Sequence, residues 1–245
     1  MNDNLQQLAA MLAEARRIAV LSGAGMSTES GIPDFRSAKG LWQQGLRLEE
    51  MVSIDYFRAS PEAFWQGFKQ IFHTKLLGNY QPNDGHLFLA ALERSGREVT
   101  VLTQNIDGLH TRAGSSRVLE LHGTLLTSSC PSCGRRHTLE YINHHELPLC
   151  TYCMDVLKPD VVLYGEAVPH LEEAFDAAMD ADLLLVMGSS LEVSPVNLIP
   201  VEAGRAGVAT VLINYTPTRM DRVFDLCVQG GIGDTCRALA PVLAR

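Results

Sequence analysis

The chain has 245 residues, 46% of them hydrophobic and 20% charged, a composition ordinary for a globular protein. Its net charge of −8, from 20 basic and 28 acidic side chains, disfavours nucleic-acid binding, which depends on neutralising phosphates. No apolar run approaches the roughly 18 residues that a membrane helix requires. We therefore expect a cytoplasmic protein with no nucleic-acid or membrane partner. The composition leaves the oligomeric state open and is compatible with a monomer.

The first predicted element is a helix within residues 1–17, where Leu5, Leu8 and Leu12 recur at helical spacing. This segment lacks the basic start and unbroken apolar core of a secretory signal. Four short aliphatic runs follow and predict strands buried on both faces: residues 18–21, 99–102, 183–187 and 210–213. Helices are predicted between them, at 85–95 and 171–179. This alternation indicates an α/β fold with a doubly wound parallel sheet.

Small or amide-bearing residues follow each predicted strand. They are Ser22 to Gly25, Thr103-Gln104-Asn105, Gly188-Ser189-Ser190, and Asn214-Tyr215. In an open α/β sheet, ligands bind outside the carboxyl ends of the strands. The sequence therefore predicts a polar ligand site at that edge.

Two long segments interrupt the α/β pattern and are expected to form a small second lobe. Residues 37–80 are rich in aromatic side chains and are predicted to be helical, with most of the aromatics in a core. Residues 128–157 contain four of the six cysteines. The expected domain organisation is one domain whose larger lobe, a Rossmann-like sheet, spans about residues 1–36, 81–127 and 158–245.

Gly23-Ala24-Gly25 after a buried strand is half of a dinucleotide-binding fingerprint. The third glycine is missing, since Thr28 stands in its place. An acidic ribose ligand is also missing from the end of a second strand, because Glu49 and Glu50 lie in the helical insertion. These departures disfavour a dehydrogenase that transfers hydride.

The cysteines form two pairs, Cys130-x-x-Cys133 and Cys150-x-x-Cys153, at the spacing of a Cys₄ zinc ribbon. Four protein ligands leave no position for water, so the predicted Zn²⁺ is structural. We call residues 128–157 the zinc-binding module. Two redox pairs are the alternative. Nearby histidines can substitute as ligands but are expected to face solvent: His137, His144 and His145. Cys227 and Cys236 have no partner spacing and are expected in the core.

The chain resembles the sirtuins, which are NAD-dependent protein lysine deacylases of the Sir2 type. Among them it resembles the bacterial members. The resemblance runs from about residue 18 to the C-terminus. Besides the cysteine pairs, it rests on the run from Gly25 to Arg36, on Thr103 to Asp107, on Leu121-His122-Gly123, on Lys158 to Glu166, and on Gly188 to Val193.

The resemblance implies that the acyl oxygen of an acyl-lysine attacks C1′ of the nicotinamide ribose and expels nicotinamide. His122 then acts as the base that deprotonates the ribose hydroxyls, and Asn105 is the second catalytic residue. Histidine suits this role because it titrates near neutrality. The 2′ oxygen attacks the resulting imidate, and water completes the reaction to free lysine and O-acyl-ADP-ribose. The partners implied are acetyl-lysine proteins or peptides.

The resemblance also implies the residues that bind NAD. They are Gly23, Ala24, Gly25, Ser27, Thr28, Asp34, Phe35, Arg36, Gln104, Asn105, Ile106, Asp107, Gly188, Ser189, Ser190, Asn214 and Ile232. Within this set, Ile106 and Asp107 would hold the carboxamide, and Ser189, Ser190 and Asn214 the adenosine.

Two strand-like edges, at 162–166 and 191–193, would hold the substrate peptide by main-chain pairing and tolerate many flanking sequences. The substrate residues implied are Val162, Tyr164, Gly165, Glu166 and Val193. Relatives that favour acidic acyl groups have a Tyr and an Arg where this chain has Phe68 and Ile71. Acetyl and other neutral acyl groups are therefore expected.

Two other functions stay open from the sequence. One is a protein ADP-ribosyltransferase, which would leave ADP-ribose on a protein nucleophile. The other is a non-enzymatic module that responds to NAD. Retention of His122, Asn105 and Asp107 together argues against an inactive site.

Overall fold

A computed structural model of the protein describes residues 3–33, 48–77 and 79–241. Asp34, Phe35 and Arg36 of the predicted NAD site lie outside the described residues. The described strands are β1 (Arg17–Ser22), β2 (Glu98–Thr103), β3 (Val118–Glu120), β4 (Gly123–Ser129), β5 (Arg136–Thr138), β6 (Lys158–Val161), β7 (Leu183–Met187), β8 (Ala209–Asn214) and β9 (Leu226–Gln229). The described helices are α1 (Asp3–Glu14), α2 (Leu48–Met51), α3 (Ile54–Ala59), α4 (Pro61–Leu77), α5 (Asp84–Arg94), α6 (Leu109–Ala113), α7 (Leu139–His144), α8 (Leu171–Met179), α9 (Ile199–Arg205) and α10 (Ile232–Leu239). None of them is long and apolar enough to cross a membrane.

Six parallel strands form the main sheet, in the order β3-β2-β1-β7-β8-β9. The chain winds outward from β1 in one direction and from β7 in the other, so the sheet is doubly wound as predicted. The point where the winding reverses lies between β1 and β7, and in such sheets it opens a crevice at the carboxyl ends of the strands. We call this side of the sheet the carboxyl edge.

Helices cover both faces of the main sheet, which explains why its strands carry aliphatic residues without polar alternation. Side chains of α1, α5 and α10 pack on one face, and those of α8 and α9 on the other. Leu8, Leu12 and Leu89 are fully buried on the first face. Each contributes roughly 1.5–3 kcal/mol through removal of its side chain from water.

The second lobe contains the three-stranded antiparallel sheet β5-β4-β6 and the helices α2, α3, α4 and α7. Its core contains Phe57, Phe64, Trp65, Phe68 and Phe72, which confirms that these aromatics are core residues. The helical insertion and the zinc-binding module meet in this core. The Trp65 Nε1 donates a 2.8 Å hydrogen bond to the carbonyl of Leu157, and Lys69 Nζ donates one of 2.7 Å to the carbonyl of Ile142.

Candidate active site

A cavity of about 1260 Å³ opens at the carboxyl edge, between the main sheet and the second lobe. Loops from both halves of the sheet line it, together with residues of the second lobe. The residues expected from the sequence that line it are Gly23, Ala24, Gly25, Thr28, Gln104, Asn105, Ile106, His122, Val162, Tyr164, Gly165, Glu166, Gly188, Ser189, Ser190, Val193, Asn214 and Ile232. Ser27 and Asp107 are not among the lining residues.

Backbone contact between the β1 and β7 loops brings the two halves of the cavity together. The Gly25 N–H donates a 2.8 Å hydrogen bond to the carbonyl of Gly188. A Cβ on Gly188 would lie 2.3 Å from the Met26 nitrogen, and one on Gly23 would lie 2.8 Å from the Gly188 oxygen. Glycine is therefore required by close approach at this point. After this loop the chain forms two short 3₁₀ turns, and so differs from the dehydrogenase fingerprint.

Three hydrogen bonds hold Asn105 in place at the cavity wall. Its side-chain Nδ2 donates to the carbonyl of Gly23 at 3.0 Å and to Ser27 Oγ at 3.2 Å. Its backbone N–H donates to Thr103 Oγ1 at 3.0 Å. Ser27 Oγ in turn donates to Asp107 Oδ2 at 2.7 Å. Ser27 and Asp107 thus act on the cavity through Asn105.

Side-chain amides join the ends of β2, β7 and β8. Gln104 Nε2 donates to Ser189 Oγ at 3.1 Å, and Asn214 Nδ2 donates to the Ser189 carbonyl at 3.2 Å. Three of the four strand ends that the sequence predicted to be polar therefore form one connected wall.

His122 projects into this cavity from the connection between β3 and β4. Its Nδ1 lies 3.1 Å from the carbonyl oxygen of Gln104. Because a carbonyl only accepts hydrogen bonds, Nδ1 carries the proton and Nε2 keeps its lone pair. Burial lowers the pKa of His122, and the Gln104 carbonyl opposes this shift. The ring is therefore neutral at pH 7 and able to accept a proton at Nε2.

The backbone next to His122 is fixed by contacts with β6 and the segment after it. The His122 carbonyl accepts a 2.9 Å hydrogen bond from the Val162 N–H. Gly123 has φ +73°, and a Cβ there would lie 2.0 Å from the Asp160 oxygen. The glycine after the histidine is thus needed for both its dihedral angle and the space it leaves.

Exposed apolar side chains flank the cavity on both sides, with Tyr164 48% and Val193 40% exposed. The Tyr164 backbone already pairs with the second lobe, since its N–H donates to Val52 and its carbonyl accepts from Ile54, each at 3.0 Å. The Glu166 carboxylate accepts from the Leu163 N–H at 2.8 Å, and it contacts Lys158 Nζ at 2.9 Å.

The apolar end of the cavity is built by aromatic residues of α4. Phe68 and Phe72 line it, whereas Ile71, the second position considered from the sequence, does not. Among the described lining residues there is no Lys or Arg. Within the described residues, this part of the cavity offers apolar contact and no cation.

Several lining residues were not predicted from the sequence: Thr216, Gly230, Gly231 and Asp234. Tyr215, which follows one of the predicted strands, also lines the cavity. Gly230 and Gly231 follow β9, which was also not predicted. The Gly-Gly pair after the apolar residues 226–228 is the signal that would have identified them.

The four paired cysteines form a compact cluster in the second lobe. Their sulfurs all lie within 4.8 Å of one another, and Sγ–Sγ distances include 3.4 Å between Cys130 and Cys153 and 3.5 Å between Cys133 and Cys150. A disulfide would require about 2.05 Å, whereas a tetrahedron with Zn–S bonds near 2.3 Å gives about 3.8 Å. All four are free thiols. The donor set and spacing fit Zn²⁺ and argue against two redox pairs.

Charge at the cluster also fits a cation. The backbone N–H groups of Cys153 and Tyr152 lower the pKa of Cys150 to about 6. The Asp155 N–H lowers the pKa of Cys153, but hydrogen bonding with Cys130 and burial outweigh it and raise the pKa to about 12. Four sulfurs at this distance cannot all ionise unaided, and a divalent cation would supply the compensating charge.

The expectation that the histidines near the cysteines face solvent was wrong for His137. Its ring is 7% exposed, and its Nε2 lies 3.1 Å from Thr151 Oγ1. It packs against Tyr141 because α7 begins directly after β5. His144 and His145 are exposed as expected. Cys236 is buried as expected, and Cys227 is only partly buried.

Comparisons with known proteins agree with this geometry. A model of the Sir2 family matches residues 23–195. The chain is 71% identical over 235 residues to an NAD-dependent protein deacetylase of Chromobacterium violaceum, with 96% of each chain covered. It is 47% identical over 243 residues to an NAD-dependent protein deacetylase of Bacillus subtilis, covering 96% of this chain and 98% of the other.

The fold is similar to solved Sir2 structures. One Sir2 enzyme has a TM-score of 0.87 and 39% identity, covering 100% of this chain and 99% of the other. A Sir2 complex with a peptide and NAD⁺ has a TM-score of 0.84 and 35% identity, with 98% of both chains covered. The family match, the identities and the shared fold together establish that this chain belongs to the Sir2 family, the sirtuins.

Proposed function

We propose that the protein is an NAD-dependent protein lysine deacetylase that yields nicotinamide, O-acetyl-ADP-ribose and free lysine. The main support is His122, a partly buried neutral imidazole whose Nε2 faces the cavity while its Nδ1 is held by the Gln104 carbonyl. The names of the curated relatives support the same activity.

NAD is expected to lie along the carboxyl edge. The Gly23 and Gly25 N–H groups donate within the protein, so the Ala24 N–H of this loop, beside Thr28, would be the group that a phosphate oxygen approaches. Gly188, Ser189, Ser190 and Asn214, with Ile232 at the start of α10, would contact the adenosine half. Asp34, Phe35 and Arg36 belong to the same proposal. Gln104, Asn105 and Ile106 would face the nicotinamide ribose and carboxamide, and Asp107 would hold Asn105 in place through Ser27.

The substrate peptide is expected to pair with the edges at Val162, Gly165, Glu166 and Val193, and Tyr164 would cover the lysine stem. The acyl oxygen would then reach C1′ of the nicotinamide ribose and displace nicotinamide. His122 Nε2 would accept the proton of a ribose hydroxyl as that oxygen attacks the acyl carbon. The ring does this best when Nδ1–H stays bonded to Gln104.

The zinc cluster would stabilise the second lobe and take no part in the chemistry, since Cys130, Cys133, Cys150 and Cys153 fill a tetrahedral site. Its distance from the chemistry is consistent with this role, because the sulfurs do not line the cavity.

The test is mass spectrometry of the products formed from NAD and an acetyl-lysine peptide. The expected result is one nicotinamide, one deacetylated peptide and one O-acetyl-ADP-ribose per turnover. Free acetate without nicotinamide, or ADP-ribose retained on protein, would contradict the proposal. A succinyl-lysine peptide is the matched control, and its faster turnover would contradict the neutral acyl preference.

A further inference from the structure

A buried chain of polar groups lies beneath the cavity and includes a histidine that the proposed chemistry does not use. His110 Nε2 lies 2.8 Å from Ser22 Oγ. Ser22 Oγ lies 2.8 Å from Thr103 Oγ1, which accepts the Asn105 N–H at 3.0 Å. His110, Ser22 and Thr103 are at most 3% exposed. The ring is thus joined through two hydroxyls to the backbone of the proposed catalytic asparagine.

The same contacts close the loop that carries Asn105. Ser22 and Thr103 are paired residues at the ends of β1 and β2, and the Gln104 N–H donates to the Ser22 carbonyl at 2.9 Å. After Asn105 the chain enters α6, whose first residue, Leu109, donates its N–H to Asp107 Oδ1 at 2.9 Å. His110 is the next residue of α6, and its ring reaches back to Ser22. His110 therefore joins the end of the loop back to its beginning.

His110 takes no part as a proton carrier. It does not line the cavity. Burial, and then the neighbouring His86, lower its pKa to about 3. The ring stays neutral at physiological pH and serves as a fixed hydrogen-bonding group.

The ring is also costly to bury. Among the described residues, His110 Nδ1 and His86 Nε2 are buried without a hydrogen-bond partner, and the two ring centroids are 4.7 Å apart. A buried polar atom without a partner destabilises a fold, whereas an apolar ring of similar size would avoid the cost. An imidazole at this position is therefore better explained by the geometry it imposes than by stability.

We propose that His110 is a positioning residue: through Ser22 and Thr103 it fixes the backbone of Asn105, so that the Asn105 amide faces the nicotinamide ribose. This inference rests on the proposed function for its catalytic consequence. Its structural consequence, an ordered Asn105 backbone, does not depend on that function.

The experiment compares His110→Phe, which removes the hydrogen bond, with His110→Gln, whose amide reaches the same hydroxyl. Ser22→Ala breaks the chain at its second member with little change in volume. The measurements are kcat for nicotinamide release, KM for the acetyl peptide, and hydrogen exchange of the Asn105 amide. For His110→Phe we expect kcat to fall about tenfold or more, KM to change by less than about twofold, and exchange to accelerate about tenfold. His110→Gln should restore kcat and exchange to within about threefold of the parent.

Unchanged exchange at Asn105 together with unchanged kcat in His110→Phe would overturn the inference. If His110→Phe does not fold, Ser22→Ala decides the question by the same two measurements. If the parent protein itself releases no nicotinamide, the proposed function fails, and the exchange comparison alone decides whether His110 orders Asn105.

Discussion

The zinc cluster takes its four sulfurs from positions 130 to 153, whereas the cavity takes its lining from positions 23 to 234. In the cluster, two short turns of similar shape are enough to bring the four sulfurs together. The Gly134 N–H bonds to the Cys130 carbonyl, and the Met154 N–H to that of Cys150, at 2.9 and 3.0 Å. In the cavity, Gly25 must contact Gly188 and Gln104 must contact Ser189, so β1, β2 and β7 have to lie side by side. The zinc cluster is therefore specified by the local spacing of its cysteines, and the cavity by the topology of the sheet.

Removal of zinc should have the largest effect and should separate the two regions. We expect a strong chelator, or Cys150→Ser, to unfold the zinc-binding module, since structural zinc contributes on the order of 10 kcal/mol to small zinc modules. Trp65 reports this directly, because its Nε1 bonds to the Leu157 carbonyl beside Cys150. Its fluorescence should change and activity should be lost while the circular dichroism of the main sheet persists. Full activity of a zinc-free protein would contradict this account. Cys227→Ser is the control and should leave zinc content unchanged.

Gly188→Ala should have the next largest effect, and only on the cavity. Its new Cβ would overlap the Met26 nitrogen, so we expect kcat/KM for NAD to fall by at least about tenfold, with zinc content unchanged. Gly96→Ala is the matched control, because Gly96 also has a positive φ, of +94°, but nothing lies within 4 Å of its Cβ position. That control should lose about 1 kcal/mol of stability and keep its activity. Equal kcat/KM for NAD in the two variants would show that close contact between the β1 and β7 loops is not needed for activity.

Much of the fold and part of the site could be predicted from the sequence. The four predicted strands are observed to within a residue at each end, because buried parallel strands require unbroken aliphatic runs. β3 and β9 were missed, since edge strands of three and four residues have little pattern to detect. Missing β9 also concealed the lining residues Gly230 and Gly231.

Contacts between distant segments were the part that the sequence could not provide. The His137 ring lies against Thr151, 14 positions along the chain, and the link between His110 and Ser22 spans 88 positions. Neither residue stands in a motif that predicts its partner. The lobe boundaries inferred from the sequence, near residues 36, 81, 127 and 158, stay a prediction.

The pH dependence of the reaction should reflect His122 and leave the zinc cluster unaffected near neutrality. The base must be neutral to accept a proton, and burial lowers its pKa below the ordinary value. The acid limb of activity should therefore have its midpoint below about 6.5, the ordinary value for histidine. The measurement is kcat/KM for the acetyl peptide against pH, with zinc content checked at each point. An acid limb with its midpoint above pH 7 would contradict the lowered pKa.

The smallest effect should come from the two zinc turns. Gly134 and Met154 hold equivalent positions after each cysteine pair, with φ of +70° and +62°. Met154 is 65% exposed, so Met154→Gly relieves its strain with little loss of packing. We expect a gain of about 1 kcal/mol in stability for Met154→Gly and a loss of similar size for Gly134→Ala, by thermal unfolding. Neither should change kcat, because neither residue lines the cavity. Destabilisation by Met154→Gly would show that the two turns are not equivalent.

Deacetylation by His122→Ala, in the presence of NAD and an acetyl-lysine peptide, tests the central claim most directly. His144→Ala removes an exposed histidine and serves as the control. We expect His122→Ala to keep its zinc and its melting temperature but to deacetylate about 100-fold or more slowly, whereas His144→Ala should equal the parent. A folded His122→Ala variant that deacetylates as fast as the parent would show that His122 is not the base.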